Sequence, residues 1–181
     1  MAAAPDRSRL RTTAGALAAA GALALALAAP AHADTVIPGS DGIPREFVNG
    51  ATNKCLEVAD WRTDDGAPVR QWTCTGGANQ QWIWGGDGRL VNVHSGKCLD
   101  IPGYSTVWGT QADQWTCDGG TNQQWLMIIP PRSAYFALEN NASRLFLDVN
   151  GASTADGAAV IQWQPTQSAP NQSWRYDPPW R

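Results

Sequence analysis

The sequence predicts an all-β domain of 12 strands, built from three copies of one unit around a pseudo-threefold axis. The motif Asn-Gln-x-Trp occurs three times, and its tryptophans, Trp82, Trp125 and Trp174, lie 43 and then 49 residues apart. Short alternating runs are broken every eight to twelve residues by Gly, Asp or Asn, which is typical of short strands joined by turns. After Ala33, no window has the apolar period of about 3.6 residues that a helix requires.

Repeats of this length are units of several short strands that cannot bury their own apolar faces, so three copies must share one core. We place them at about 45–87, 88–130 and 131–177. About four strands in each repeat, with the sheet edges closed, give a 12-stranded barrel with a hairpin cap. The segment 128–133 adds five residues between repeats two and three and explains most of the longer spacing.

The first 33 residues are predicted to be a secretory signal peptide. Three arginines precede an apolar run at 14–29, and Ala31 and Ala33 place small residues before the expected cleavage point. A membrane anchor is the alternative, but a run of about 16 residues is shorter than the ~20 needed to span a bilayer. We therefore expect a secreted, extracellular protein without membrane insertion, with 34–44 as a flexible leader and the folded domain at 45–181.

The composition of the mature chain narrows the classes of partner. Without the signal peptide, 10 basic and 15 acidic residues remain, a net charge of about −5. Nucleic acids and anionic membranes need a basic face, so we expect neither as a partner. Ten tryptophans outnumber phenylalanine and tyrosine combined, which suits either a tryptophan-rich core or exposed rings that stack on a ligand.

Four cysteines occupy two matching positions in repeats one and two. Cys74 follows Cys55 by 19 residues and Cys117 follows Cys98 by the same interval, whereas repeat three has neither cysteine. Paired loss is expected of bridges within a repeat, so the disulfides Cys55–Cys74 and Cys98–Cys117 are predicted. Secretion favours the oxidised state. A four-thiolate zinc site needs cysteines two to four residues apart, and no pair here has that spacing.

Two further features recur in phase with the cysteines. A glycine falls at the same place in the turn between the two halves of every repeat, as Gly66, Gly109 and Gly157. Because glycine readily adopts φ > 0, these turns are predicted to be tight hairpins. A Gln-Trp pair follows in the next strand of each repeat. The pairs are Gln71-Trp72, Gln114-Trp115 and Gln162-Trp163.

With three phased copies or near-copies of Cys-Leu-Asp, Gln-Trp-x-Cys and Asn-Gln-x-Trp, the chain resembles the ricin B-type lectin family over about 45–177. Members of that family fold as β-trefoils and bind carbohydrate. The resemblance implies a lectin for galactose- or xylose-type sugars, or plant-type polysaccharide, with up to three shallow sites. We expect a monomer with no cofactor and no metal ion.

The family's sugar site, transferred to matching positions, contains four side chains in each repeat. An acid accepts hydrogen bonds from two ring hydroxyls, an aromatic ring stacks on the sugar, an Asn binds a hydroxyl, and a Gln supports the acid. These residues are Asp100, Trp115, Asn122 and Gln123 in repeat two, Asp148, Trp163, Asn171 and Gln172 in repeat three, and Glu57, Trp72, Asn79 and Gln80 in repeat one.

The three predicted sites are not equivalent. Glu57 places its carboxylate about 1.5 Å further out than an aspartate would, which disfavours contacts to two adjacent hydroxyls. Repeat three lacks the disulfide that would fix its rim. Repeat two keeps every element, so we rank the sites as repeat two, then three, then one.

Structural roles compete with these assignments. The tryptophans of the Asn-Gln-x-Trp motifs are predicted to lie in the core, near the pseudo-threefold axis. The tryptophans of the Gln-Trp pairs could also be packed in the interior, and the aspartates could cap turns instead of binding sugar. Trp61 and Tyr104 occupy equivalent turn positions and could extend a pocket.

Catalysis is not expected. Beyond the signal peptide only His94 could serve as a base, and no Gly-x-Ser-x-Gly nucleophile motif is present. The prominent carboxylates recur once per repeat, unlike a single catalytic centre, although a small glycoside hydrolase is a further alternative. A secreted β-trefoil protease inhibitor or protein-binding module is the main alternative. Such an inhibitor needs a protruding loop, and the irregular insertions at 128–133 and 166–170 are short.

Overall fold

The structure is a computed structural model that describes residues 41–177. The predicted signal peptide, most of the predicted leader and Trp180 lie outside the described residues. Within 41–177, no helix is long and apolar enough to cross a membrane. The strands are β1 Arg45–Asn49, β2 Cys55–Val58, β3 Ala67–Trp72, β4 Gln81–Trp84, β5 Leu90–Asn92, β6 Cys98–Asp100, β7 Asp113–Trp115, β8 Trp125–Ile128, β9 Ala137–Asn140, β10 Phe146–Val149, β11 Val160–Trp163 and β12 Trp174–Asp177.

Six single-turn 3₁₀ segments connect these strands, two in each repeat. The first group follows the second strand of a repeat, and the second group carries the Asn-Gln of the repeated motif. The segments are Ala59–Trp61, Pro102–Tyr104 and Asn150–Ala152, and then Ala78–Gln80, Thr121–Gln123 and Pro170–Gln172. This confirms the predicted all-β class and the four strands per repeat.

The outer strands of each repeat form a barrel. Antiparallel pairs join β12 to β1, β1 to β4, β4 to β5 and β8 to β9. The two remaining gaps are bridged by single contacts: Trp125 N–H donates to Gly88 O at 2.8 Å, and Phe136 pairs with Trp174. Gly88 is needed at its contact, because a Cβ there would lie 2.7 Å from Trp125 O.

The inner strands form three hairpins, β2–β3, β6–β7 and β10–β11, which close one end of the barrel. Backbone pairing connects the hairpins to one another: β3 pairs with β7, Arg70 with Ala159, and Gln111 with Ile161. This arrangement of a barrel and a three-hairpin cap, repeated three times along the chain, is a β-trefoil.

The three motif tryptophans pack in the core, as predicted. Trp82, Trp125 and Trp174 are each at most 1% exposed. Each indole Nε1–H donates to a leucine carbonyl of the same repeat, at 3.0–3.1 Å. Because burial of the ring is combined with a satisfied N–H, these residues fix the fold and cannot reach a ligand.

The glutamines of the Gln-Trp pairs connect neighbouring repeats. Gln114 is fully buried, and its Nε2 donates to Arg62 O at 3.0 Å and Asp64 O at 3.1 Å in repeat one, while Ser95 Oγ donates to its Oε1. Gln71 and Gln162 make the matching contacts to repeats three and two. Each buried amide makes its hydrogen bonds only when the neighbouring repeat is correctly placed, so these glutamines fix the orientation of each repeat relative to the next.

Both predicted disulfides are confirmed. Cys55 is bonded to Cys74 and Cys98 to Cys117, and no described cysteine is free. Repeat three has Phe146 and Pro165 at these positions. Each bridge ties the start of one cap strand to the segment after the other, close to the candidate site described next.

Candidate functional site

Strand pairing in the three cap hairpins places an acid, its cross-strand partner and an aromatic ring on one face. The acid and its partner are Glu57 and Arg70 on β2–β3, Asp100 and Asp113 on β6–β7, and Asp148 and Ile161 on β10–β11. The tryptophan lies two residues after the partner, so alternation puts it on the same face. With the Asn and Gln of the following motif, these form site one (Glu57, Arg70, Trp72, Asn79, Gln80), site two (Asp100, Asp113, Trp115, Asn122, Gln123) and site three (Asp148, Ile161, Trp163, Asn171, Gln172).

Site three joins all four of its predicted side chains. Asn171 Nδ2 donates to both carboxylate oxygens of Asp148, at 3.0 and 2.9 Å. Gln172 Nε2 donates to Asp148 Oδ2 at 2.8 Å. Gln172 is buried and lies behind the carboxylate, as a supporting residue would. The acid is therefore held as a fixed acceptor.

Site two has the same acid-Asn pair. Asn122 Nδ2 donates to Asp100 Oδ1 at 2.7 Å and to Ile101 O at 3.1 Å. Its Oδ1 is buried without a hydrogen-bond partner among the described residues. The Asn122 amide is thus committed to the protein, because its Nδ2 holds the acid and its Oδ1 lies buried beside Gly120. Gln123 is fully buried and donates to Thr116 O at 3.0 Å.

Site one differs because its acid is already neutralised. Arg70 contacts Glu57 Oε1 through Nε at 3.0 Å and through Nη2 at 2.9 Å, and Gln80 Nε2 donates to Glu57 Oε2 at 2.7 Å. The Arg70 guanidinium also lies over the Trp72 ring, 4.3 Å from its centroid. Asn79 Nδ2 donates to the Val58 carbonyl. Both the acceptor and the stacking face are thus occupied by the protein itself.

The Gln-Trp tryptophans are not core residues. Trp115 is 43% exposed and Trp163 is 37% exposed, while Trp72 is half-buried under Arg70. The rings of Trp72, Trp115 and Trp163 each have one edge against the turn glycine of a neighbouring repeat, at 3.6–3.9 Å from the Cβ positions of Gly157, Gly66 and Gly109, respectively. These glycines have φ of 78–84°, as the hairpin prediction required. All three rings are therefore held in place, and those of Trp115 and Trp163 stay exposed.

The rim of each site is formed by the 3₁₀ segment after the acid. Trp61 and Tyr104 have φ near 55° and are each 52% exposed. They lie over Gly77 and Gly120, where a Cβ would approach Trp61 Cζ2 to 2.9 Å and Tyr104 Oη to 2.4 Å. A non-glycine residue at positive φ has an unfavourable backbone conformation, so holding these two rings at the rim lowers the stability of the fold.

Repeat three has a different rim. Ala152 replaces the rim aromatic and Ala169 replaces the glycine beneath it. A cavity of about 360 Å³ opens there, and its lining includes Asp148, Ile161, Trp163 and Asn171. Site three therefore has a formed depression, although the sequence ranked site two first.

Trp108, which has no counterpart in the other repeats, contacts site three. Asp65 and Asp156, at the equivalent positions, accept hydrogen bonds from Thr116 and Thr73 and pair with Lys97 and Lys54. Trp108 instead packs on Trp163 with ring centroids 5.8 Å apart, and it is 52% exposed. The hydrogen bonds and ion pairs that Asp65 and Asp156 make in the other repeats are thus replaced by a second aromatic ring beside Trp163.

The carboxylates of sites two and three resist ionisation. Burial raises the pKa of Asp100 to about 6 and, with the negative charge of Asp100, raises the pKa of Asp113 to about 7. Burial also raises the pKa of Asp148, against hydrogen bonds from Gln172 and Asn171. Asp65 behaves in the opposite way, because the Lys97 ammonium holds its pKa below the usual value.

These shifts predict that stability falls as pH rises from about 4 to about 7. A carboxyl whose pKa is raised by folding contributes stability that is present below its unfolded pKa of about 3.9 and is lost as pH rises through its folded pKa. Asp113→Asn should therefore reduce the slope of the melting temperature against pH in this window and raise the melting temperature at pH 8. Thermal unfolding at pH 5, 6, 7 and 8 measures both. Equal slopes in the two proteins would contradict the assignment.

Sequence reasoning missed the cross-strand partners Arg70, Asp113 and Ile161. A signal was present, because each lies two residues before the stacking tryptophan and so on the same strand face. Their contact with the acid depends on the hairpin register, which strand pairing sets. The predicted residues themselves are brought together in all three repeats, apart from Asn79, which bonds the backbone rather than the acid.

Comparison with known proteins agrees with this geometry. A family model described as ricin-type beta-trefoil lectin domain-like matches residues 37–89, 83–163 and 128–179. The chain belongs to the ricin-type β-trefoil lectin family. Among solved structures, this ricin-type domain is similar to ThreeFoil, a designed threefold symmetric protein, with 41% identity, a TM-score of 0.70 and coverage of 74% of this chain and 96% of that one.

Three other similarities concern natural proteins. An exo-β-1,3-galactanase from Clostridium thermocellum is 33% identical with a TM-score of 0.69, and the match covers 75% of this ricin-type chain and 30% of the enzyme. The Macrolepiota procera ricin B-like lectin in complex with lactose shares the fold at 21% identity, a TM-score of 0.65 and coverage of 76% and 96%. Serine protease 1 from Rarobacter faecitabidus is 46% identical over 37 residues, which are 20% of this chain and 7% of the protease.

Proposed function

We propose that this chain is a secreted, non-catalytic carbohydrate-binding protein that holds sugars at sites two and three. The observation that carries the proposal is the pairing of a fixed aspartate with an exposed tryptophan on the outer face of a cap hairpin. A sugar offers hydroxyl donors at its rim and an apolar C–H face, so it needs a charged acceptor beside a flat ring. Asp100 with Trp115 and Asp148 with Trp163 supply that combination.

Site one is excluded from the proposal. Arg70 neutralises Glu57 and covers Trp72, so a neutral sugar would have to displace an ion pair and a cation–π contact before it could bind. The functional protein is therefore bivalent rather than trivalent.

The geometry of the carboxylates favours binding over hydrolysis. Glycoside hydrolases hold their two carboxyl groups about 5–5.5 Å or about 6.5–9.5 Å apart, with the scissile bond between them. Asp100 and Asp113 are cross-strand neighbours in hydrogen-bond contact, which leaves no room for a sugar linkage between them. The two enzymes among the similar proteins are matched over only 30% and 7% of their lengths, so their activities are not transferred to this chain.

Galactose-type sugars are the ligand class that the comparisons support. The match to the exo-β-1,3-galactanase is 33% identical. Structures that share the fold include a lectin bound to lactose and an earthworm R-type lectin bound to GalNAc. Shallow sites with one ring and a few hydrogen bonds should bind a monosaccharide at about 10 µM to 1 mM. Two sites on one polysaccharide would strengthen binding through effective concentration.

Paired substitutions test the proposal. Asp100→Asn with Trp115→Ala should remove one binding site, and Asp148→Asn with Trp163→Ala should remove the other. Each pair loses both the acceptor and the stacking surface, so we expect the affinity of that site to fall at least about 10-fold. Isothermal titration with ligands first selected on a glycan array measures the affinity and the number of sites.

The matched control is Glu57→Gln with Trp72→Ala, which makes the same kind of change at site one and should leave sugar binding intact. Circular dichroism and thermal unfolding verify that each variant is folded. Unchanged affinity in both test variants would refute the site assignment. Absence of any bound glycan, together with inhibition of a protease panel, would instead support the inhibitor alternative.

A further inference from the structure

The position opposite the acid carries a different charge in each site. It is Arg70 in site one, Asp113 in site two and Ile161 in site three. Each of these side chains lies on the same strand face as the acid and the stacking ring. One position in the repeat therefore neutralises the acid of site one, adds a second acid to site two and leaves a single acid in site three.

Site one shows that a cation fits between the acid and the ring. The Arg70 guanidinium is paired with Glu57 at 2.9 Å, pairs with Asp60 at 3.0 Å, and stacks on Trp72 at 4.3 Å. This is the arrangement that a bound cationic ligand would adopt in an otherwise equivalent site. Site two has the acid and the ring but lacks the internal cation.

Site two instead contains excess negative charge. Asp113 Oδ2 and Trp115 Cζ3 both lie 3.9 Å from the Cβ position of Gly66, so the second carboxylate lies beside the stacking ring. The charges of Asp118 and Asp65 also act on this pair. Lys97 and Arg62 pair with other acids, Asp65 and Asp64 respectively.

The two carboxylates of site two have no cation of their own. Among the described residues no Lys or Arg pairs with Asp100 or Asp113, and the negative charge of Asp100 adds to burial in raising the pKa of Asp113. A cationic ligand therefore gains affinity by offsetting the repulsion between the two carboxylates. An ammonium group brings three donors and a positive charge.

We propose that site two binds an amino sugar in its cationic form, a hexose unit whose free ammonium contacts the paired carboxylates of Asp100 and Asp113 while its ring stacks on Trp115. This inference rests on the proposed function and names the ligand of one of its sites. Site three, with Ile161 opposite Asp148, retains the preference for a neutral sugar. The two sites of one molecule thus recognise chemically different units.

The affinity of site two for an ammonium should depend on the protonation of Asp100 and Asp113. Because the pKa of Asp100 is raised to about 6 and that of Asp113 to about 7, the pair is more protonated at pH 5 than at pH 7.5 and attracts an ammonium less strongly there. Binding of the amino sugar should therefore strengthen as pH rises across this interval. It should weaken again at higher pH, when the ligand amine loses its own proton.

The test compares sugars that differ only in the nitrogen substituent. Galactosamine and glucosamine, each beside its N-acetylated form, are titrated at pH 7.5 into the protein with site three silenced by Asp148→Asn and Trp163→Ala. We expect the free amines to bind at least about 10-fold more tightly than the N-acetylated sugars. Asp113→Asn, which keeps the side-chain shape, and Asp113→Ile, which copies site three, should both abolish that preference.

Further measurements distinguish the possible failures. Equal affinity for amine and N-acetyl sugars, with binding still dependent on Asp100 and Trp115, would overturn the inference and leave the proposed function intact. Loss of all sugar binding, in the protein with site three intact, would overturn both. Ethanolamine supplies a cation without a sugar ring, and binding as tight as that of galactosamine would show a cation site instead of an amino-sugar site.

Discussion

Replacing Trp125 with alanine is expected to lower the free energy of unfolding by about 3–5 kcal/mol, the usual cost of removing a large buried aromatic side chain. Trp125 is 1% exposed, and its Nε1–H satisfies the Leu99 carbonyl at 3.1 Å. The substitution leaves both a cavity and a buried carbonyl without its donor. Domains of this size have about 5–15 kcal/mol of stability, so the loss is a large fraction of the total.

Denaturant unfolding measures this change, with Trp115→Ala as the matched control. That variant removes the same side chain from a ring that is 43% exposed, so it should cost about 1 kcal/mol or less. Trp125→Phe retains most of the volume and provides a folded comparison if the alanine variant does not fold. Equal destabilisation by Trp125→Ala and Trp115→Ala would show that the core and surface roles of the two tryptophans are wrongly assigned.

Removing the Cys98–Cys117 disulfide by substitution with serine is expected to cost about 3 kcal/mol, because the bridge closes a loop of about 20 residues and restricts the unfolded chain. The folded state retains other ties in this region. Thr116 and Lys97 both contact Asp65 across the repeat boundary. We therefore expect a folded but less stable protein with site two still assembled.

Unfolding of the serine variant and of the wild type, each with and without reductant, checks this prediction. Full reduction of the wild type also removes Cys55–Cys74, so the reduced wild type should be less stable than the oxidised variant. A variant as stable as the oxidised wild type would show that the bridge contributes no net stability.

Much of the fold follows from the sequence because its signals are local and occur three times. The alternating run at 112–116 predicted a strand, and β7 spans Asp113–Trp115. The glycine at the hairpin turn predicted φ > 0, and Gly66, Gly109 and Gly157 all have it. Paired absence of cysteines from repeat three identified both bridges without any knowledge of distance.

The candidate sites were less predictable. The acid and the stacking ring could be identified from the repeat, but the roles of the amides changed in the structure. Asn122 and Asn171 use their donors on the acid, so these amides hold the carboxylate in place instead of donating to a ligand. The rank order also depends on packing, because the cavity at site three opens where alanine has replaced the rim aromatic.

The sequence by itself determined the threefold repeat, the β-trefoil, the two disulfides and the separation of core tryptophans from cap tryptophans. These features depend on spacing and alternation, which are properties of the linear chain. Tertiary structure decided which sites are open and what charge they carry. That outcome depends on the residue that the hairpin register places opposite each acid: Arg70 neutralises Glu57, Asp113 adds a charge beside Asp100, and Ile161 leaves Asp148 as a single acid. Electrostatic interactions act between side chains that are close in space, so the sequence alone could not determine the charge of each site.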